Sequence, residues 1–311
     1  MSAPRICVLR ATGTNCDVET AYAFDVSGGK SDCIHLFRMI ERPELLDEYQ
    51  ILCVPGGFSY GDDIGSGVVA ASQLRSHLGN VLHRFLESDK LVLGICNGFQ
   101  VLLKAGILPG GSAGWNDTQP NKSRSTLTWN SNGKYTARWV HCKVTTSNNV
   151  FLQGIDELDL PIAHAEGRIV VEDDSVVAHW EHGGQISLRY TNWPNAESSD
   201  RTHPVNDRYD ANPNGSTGNI AGLSDPTGRV FGLMPHPERF LFGTQHPHWT
   251  RLGLTGDGFG RKMFLNAVEY FGCSKVIHTI PTPKPSSSVV APAPTLAGRG
   301  APLAANGRGA A

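Results

Sequence analysis

Leu91-Val-Leu-Gly94-Ile-Cys96-Asn-Gly98-Phe-Gln100-Val-Leu-Leu103 is the stretch on which the fold of this chain turns. An apolar run reads as a strand, and the apolar spacing after Asn97 reads as a helix. Between them, Gly-x-Cys-x-Gly has the form of a nucleophile elbow. Glycines two residues either side of the nucleophile remove side chains that would collide in a sharp strand-to-helix turn. Such a turn sets the Cys96 thiol at a helix N-terminus, where unpaired amides and the helix dipole favour thiolate over thiol. Acyl transfer needs that thiolate. A free cysteine is more often a small buried core residue. That blander reading suits Cys7, Cys33 and Cys53, each inside an apolar run, whereas the flanking glycines set Cys96 apart.

Outward from this elbow, short apolar runs alternate with helical patterns. Residues 5–9 read as a strand and 18–24 as a helix. Further strands are expected at 33–37 and 51–54, and a long helical region, broken at Gly79, at 68–88. Strands alternating with helices imply βαβ units. The expected fold is α/β: a mainly parallel open sheet flanked by helices. Residues 139–190, with several extended apolar runs and few helix signals, are expected to add antiparallel strands in the middle section. Residues 229–234 read as a late strand and 259–271 as a closing helix.

The length of 311 residues, 40% of them hydrophobic, allows a well-buried core. A net charge of −2, without a long basic run, excludes a nucleic-acid partner held by phosphate neutralisation. No apolar stretch is long enough to span a membrane, and residues 1–10 do not form a signal peptide. Seven cysteines, an odd number with no C-x-x-C pair, argue against a disulfide framework and a zinc site and point to the cytoplasm. His246-Pro-His248 lacks a third ligand at telling spacing and reads as a polar loop, so no metal is expected. From Thr279 to Ala311 there are six prolines, eight alanines, four glycines and no Asp or Glu. This composition cannot offset its ordering entropy. Residues 1–278 are therefore expected as the folded domain and 279–311 as a disordered tail.

A thiolate needs a base. Among twelve histidines, His236 stands out in Val230-Phe-Gly-Leu-Met-Pro-His236-Pro-Glu238-Arg, where a strand delivers it to a proline-stiffened turn. In extended backbone, residues two apart face the same side, so Glu238 is placed to hold the imidazole's tautomer and stabilise its cation. A rigid surface turn would explain the pair alone, but not its coincidence with Cys96. After the strand at 51–54 comes Pro55-Gly56-Gly57-Phe58-Ser-Tyr-Gly-Asp62-Asp63. Tandem glycines let backbone amides reach a developing oxyanion, and Asp62 or Asp63 would cap the next helix.

Together these elements resemble the class I glutamine amidotransferases. The finer likeness is to the glutaminase components of phosphoribosylformylglycinamidine synthases. Its words are Gly13-Thr-Asn15-Cys-Asp17-Val-Glu-Thr, Pro-Gly-Gly-Phe-Ser-Tyr-Gly-Asp at 55–62 and Gly-Ile-Cys-Asn-Gly-Phe-Gln at 94–100. Ala-His164-Ala-Glu166-Gly-Arg168, Asn212-Pro-Asn-Gly-Ser and Met-Pro-His236-Pro-Glu238-Arg complete the set. The resemblance spans residues 5–272. It implies Cys96 as nucleophile, His236 as base and acid, and Glu238 as orienter. It further implies the amides of Gly57 and Asn97 as oxyanion hole and Gln100 as a contact to bound glutamine. His164, Glu166 and Arg168 fall near the pocket mouth or a synthase interface, although a core-facing strand pair would account for them too.

The implied partners are a formylglycinamidine ribonucleotide synthase subunit and a small accessory subunit, with glutamine as substrate. No cofactor is expected on this chain. ATP and magnesium belong to the synthase, since no P-loop is present. The stretch between Tyr190 and Asn212 is longer and more polar than the resemblance leads one to expect, and the tail has no counterpart in it. Three other readings share the motifs: a glutaminase serving a different synthase, a free cysteine hydrolase of the same fold, and a silent regulatory subunit.

Overall fold

The computed structural model describes residues 2–116, 124–192 and 211–272. The tail and most of the polar stretch between Tyr190 and Asn212 lie outside them. In chain order the strands are β1 (Arg5–Arg10), β2 (Lys30–His35), β3 (Ile51–Val54), β4 (Leu91–Ile95), β5 (Ser125–Thr128), β6 (Thr136–Val144), β7 (Glu157–His164), β8 (Arg168–Val171), β9 (Ile186–Thr191), β10 (Ile220–Ser224) and β11 (Val230–Leu233). The helices are α1 (Asp17–Asp25), α2 (Leu36–Glu41), α3 (Val68–Glu87), α4 (Asn97–Lys104), α5 (Gly111–Asn116), α6 (Asp174–His182), α7 (Trp249–Leu252) and α8 (Phe259–Glu269).

Nine strands form one sheet in the order β2-β1-β3-β4-β11-β10-β9-β6-β7, and β5 pairs with β8 apart from it. The five strands from β2 to β11 are parallel. The remaining four join antiparallel. This is the expected α/β fold: β6, β7 and β9 are the antiparallel strands expected of residues 139–190, while β10 joins from 220–224 and β8 pairs outside the main sheet. Every residue of β3, β4 and β11 is buried. Their uninterrupted apolar character follows from helices covering both faces of a parallel sheet.

Three local expectations are corrected. The helix at 68–88 is not broken at Gly79. Ala70, Ala71, Leu74, Leu78, Val81, Leu82 and Phe85 are all buried, and their burial outweighs the ~1 kcal/mol that one glycine costs a helix. A side chain at Gly79 would meet nothing within 4 Å, and its carbonyl accepts from Trp115 Nε1 at 2.9 Å. The strand expected at 33–37 ends at His35. The Nδ1 of His35 accepts from Phe37 N at 3.2 Å and caps α2. Cys33 is exposed rather than buried, because β2 is an edge strand. The sequence reading also passed over α6, whose cap is conventional: Asp173 Oδ1 accepts from Ser175 N at 2.9 Å.

Candidate active site

The site is assembled where three neighbouring parallel strands end. Val54 pairs with Gly94, and Ile95 with Leu233. The chain therefore leaves β3 into Pro55-Gly56-Gly57, β4 into Cys96 and β11 into Met234-Pro-His236 at one edge of the sheet. Ligand sites in open α/β sheets lie outside these carboxyl ends.

Cys96 sits at φ 50° and ψ −105°, in the left-handed half of conformational space that L-residues avoid. Close approach of backbone holds it there. A Cβ at Gly98 would fall on the Val54 carbonyl, and one at Gly94 would strike Leu102 and the Gly98 carbonyl. The elbow thus works as its sequence implies: α4 begins immediately after Cys96, hard against β3. Cys96 is buried at 4% exposure, with Sγ 3.8 Å from the Ala163 carbonyl.

His236 Nδ1 and Glu238 Oε1 are 2.6 Å apart, with side-chain exposures of 2% and 0%. The pair does not form in extended backbone as expected. Pro237–Arg239 is a 3-10 turn, and the proline-started turn folds the carboxylate back onto the ring. His236 N donates to the Pro161 carbonyl at 2.9 Å. The far edge strand β7 therefore curls over the site and supports both His236 and, through Ala163, Cys96. Burial works against a charged His236, but Glu238, Cys96 and Cys16 outweigh it, and its pKa is raised well above the ordinary histidine value. Nε2 of His236 and Oε2 of Glu238 are buried and make no directed hydrogen bond.

Gly57 has φ +149°, and a side chain there would collide with Gly13, Thr14 and Asn15. Thr14 and Gly57 form an antiparallel bridge, and Phe58 N donates to the Gly13 carbonyl at 2.9 Å. The Gly-Gly loop is thereby clamped by the turn after β1. Asn97 Nδ2 donates to Gln100 Oε1 at 2.9 Å and Asp62 Oδ1 at 3.3 Å. Gln100 Nε2 donates to the Glu166 carbonyl. Both ends of Gln100 are thus engaged with protein groups, bracing the β7–β8 turn on α4.

Asp62 does not cap α3, whose N-cap is Gly67 without a side-chain bond. Instead Asp62 Oδ2 accepts from Ser66 Oγ at 2.8 Å, and Glu166 Oε2 accepts from Ser66 N at 3.2 Å. Burial first, then Glu166, raises the Asp62 pKa. Two carboxylates so placed form a half-buried cradle for a positive group. His164 Nδ1 lies 3.1 Å from Asn130 Oδ1, which also accepts from Gly167 N. Burial first, then His236, lowers its pKa to about 3, so it is neutral. Arg168 turns away, its Nε donating to the Gly215 carbonyl at 3.2 Å. His246 is no part of a polar loop: it is buried, its ring 4.4 Å from that of Trp139.

Sequence reasoning assigned no role to Cys16, Ser66 or Arg239. Arg239 Nε donates to Glu19 Oε1 at 3.0 Å and its Nη2 to Cys16 Sγ at 3.1 Å, tying α1 to the turn that carries His236. Adjacent polar words in the sequence were their only signal.

The arrangement, a strained buried thiol with a carboxylate-oriented imidazole beside a glycine loop, suits acyl transfer. No helix among the described residues is long and apolar enough to cross a membrane. Residues 3–271 match the family model of the CobB/CobQ-like glutamine amidotransferase domain. The chain is 42% identical to the phosphoribosylformylglycinamidine synthase subunit PurQ of Dehalococcoides mccartyi, over 87% of this chain and 98% of that one. The same-named subunit of Methanococcus maripaludis is 39% identical, over 86% and 97%. Among solved structures, a chain of PurLQS from Thermotoga maritima superposes with a TM-score of 0.61 at 30% identity, covering 86% of this chain and 99% of that one. In matched length and in sequence relatives alike, the chain belongs to the CobB/CobQ-like glutamine amidotransferase family, beside its PurQ members.

Proposed function

We propose that the chain is the glutaminase subunit of a phosphoribosylformylglycinamidine synthase. The observation that carries this reading is the buried His236–Glu238 pair, 2.6 Å apart, delivered to the same sheet edge as the elbow cysteine. The PurQ relatives, matched over almost their whole length, support the choice of synthase. Cys96 attacks the side-chain amide carbon of glutamine, and His236 takes the thiol proton and gives it to the departing ammonia. Water activated by His236 then hydrolyses the γ-glutamyl thioester to glutamate. The amides of Gly57 and Asn97 hold each oxyanion, a donor of this kind contributing ~3 kcal/mol. The carboxylates of Asp62 and Glu166, brought together by Ser66, face the α-ammonium of glutamine. Gln100 acts by bracing Glu166 and Asn97.

Ammonia passes unprotonated to a formylglycinamidine ribonucleotide synthase subunit, which uses ATP and magnesium. A small accessory subunit completes the complex, and the work is done in the cytoplasm. The deciding experiment is Cys96→Ala in the reconstituted complex. Glutamine-dependent synthesis should vanish while synthesis from ammonium salt survives. Retained glutamine-dependent activity would remove Cys96 from its role. Rapid glutamine hydrolysis by the isolated wild-type chain would favour a free hydrolase.

A further inference from the structure

Cys16 is the second thiol of this pocket, 1% exposed, at the start of α1. One donor atom each from Cys16, His236 and Glu238 lies within 4.8 Å of the other two, and all three residues are buried. Oε2 of Glu238 is buried here without a hydrogen-bond partner, and the His236 ring faces the Cys16 and Cys96 thiols. Tetrahedral zinc holds sulfur at ~2.3 Å and nitrogen or oxygen at ~2.0–2.2 Å, so its donors stand ~3.3–3.7 Å apart and a shift of about 1 Å brings the widest pair into range. The charges also balance. A thiolate, a carboxylate and a neutral imidazole exactly cancel a divalent cation, which is the condition for holding an ion away from water.

We infer that Cys16, His236 and Glu238 form a capture site for a thiophilic divalent cation such as Zn2+, and that its occupancy stops glutamine hydrolysis. The inhibitory half rests on the proposed roles of His236 and Glu238. Binding forms a metal–sulfur and a metal–nitrogen bond as the Cys16 thiol proton and the extra proton of the His236 ring leave to solvent; no electrons are transferred. The ion takes one ring nitrogen of His236, and either choice halts the chemistry. On Nδ1 it breaks the bond to Glu238; on Nε2 it consumes the lone pair that accepts the thiol proton. The Arg239 guanidinium, 3.1 Å from Cys16 Sγ, must turn aside. Its side chain is 36% exposed and keeps Glu19 as a partner, so it moves without being stranded.

The test uses the full chain with a reductant, Cd2+ as a spectroscopic probe and buffered Zn2+ as inhibitor. Wild type and Cys96→Ala should each bind one Cd2+ with a thiolate charge-transfer band. Cys16→Ala should lose that band and at least ~100-fold in affinity, as loss of a direct ligand should exceed the 10–100-fold effect of a supporting residue. In the reconstituted complex, the glutamine-dependent rates of wild type and Cys16→Ala are each normalised to their own zinc-free values. The zinc concentration for half inhibition should rise in Cys16→Ala by the same factor. Should that variant misfold by circular dichroism, Cys16→Ser serves in its place. Unchanged affinity without the Cys16 thiol overturns the site, and so does a band abolished by Cys96→Ala alone. A Cys16-dependent band in a chain without glutaminase activity supports the site and counts only against the proposed function.

Discussion

Glu238→Gln isolates charge and tautomer from shape. The wild-type carboxylate meets Nδ1 of His236 at 2.6 Å, with both side chains essentially shut off from solvent. In the proposed mechanism His236 takes the thiol proton, and the new cation faces that carboxylate. Two unit charges about 4 Å apart attract by ~4 kcal/mol at an effective dielectric of ~20. Losing that attraction in the transition state slows the reaction ~1000-fold. The amide adds a second penalty, since its N–H group can donate to Nδ1 and leave the ring proton on the wrong nitrogen. The direction with pH also follows. Burial opposes the imidazolium, and Glu238 is the largest influence opposing burial. Without it the ring loses its proton at lower pH, so the acid edge of the activity profile, below which His236 cannot accept the thiol proton, moves down. The assay compares glutamine-driven with ammonium-driven synthesis in the reconstituted complex. The first should fall ~1000-fold and the second should hold. His236→Ala, which removes the base itself, should cost more. A loss in Glu238→Gln below ~10-fold, equivalent to ~1.4 kcal/mol, would refute the orienting role.

Two further predictions follow from the frame around the site. His164 is buried neutral with a pKa of about 3 against an ordinary 6.5. Between those values the unfolded chain binds the extra proton, so stability falls with falling pH by up to ~1.4 kcal/mol per unit; urea midpoints across this window should show a flatter slope in His164→Gln, and an unchanged slope would place the proton elsewhere. Gly98→Ala drives a methyl group into the Val54 carbonyl and should cost ~1–3 kcal/mol by overpacking, with a ~100-fold loss of glutaminase activity from a displaced Cys96. A wild-type melting temperature and rate would show that the elbow has slack.

The elements that sequence located best are those whose environment is uniform. Ile51–Val54 and Leu91–Ile95 are buried throughout, so an unbroken apolar run marks their ends without ambiguity. Where a residue serves two environments, the local pattern misled. His35 belongs to β2 by pairing but ends it by capping α2, and Cys33 looks like core yet lies on an edge. The meeting of Cys96, His236 and Glu238 at one sheet edge was legible because each lies in a short word at the end of a strand. The acid pair Asp62 and Glu166 was not, since Ser66 joins them across 100 residues. The contact between Cys16 and Arg239 spans 223. Nothing local encodes such meetings; they exist only once the sheet is complete.

The clamp from Arg239 to Glu19 and Cys16, and the support that Pro161 gives His236, carry a consequence for synthesis on the ribosome. Cys96 and the glycine loop leave the exit channel early, but the proposed base is residue 236 and its bracket lies 220 residues from its anchor. A nascent chain lacking β11 holds a thiol with neither general base nor carboxylate. Domains fold as units during synthesis, and here the last third of the domain delivers the proton acceptor. On the proposed roles of Cys96 and His236, the unfinished protein cannot consume glutamine, and hydrolysis begins only once β11 and the turn after it have been made.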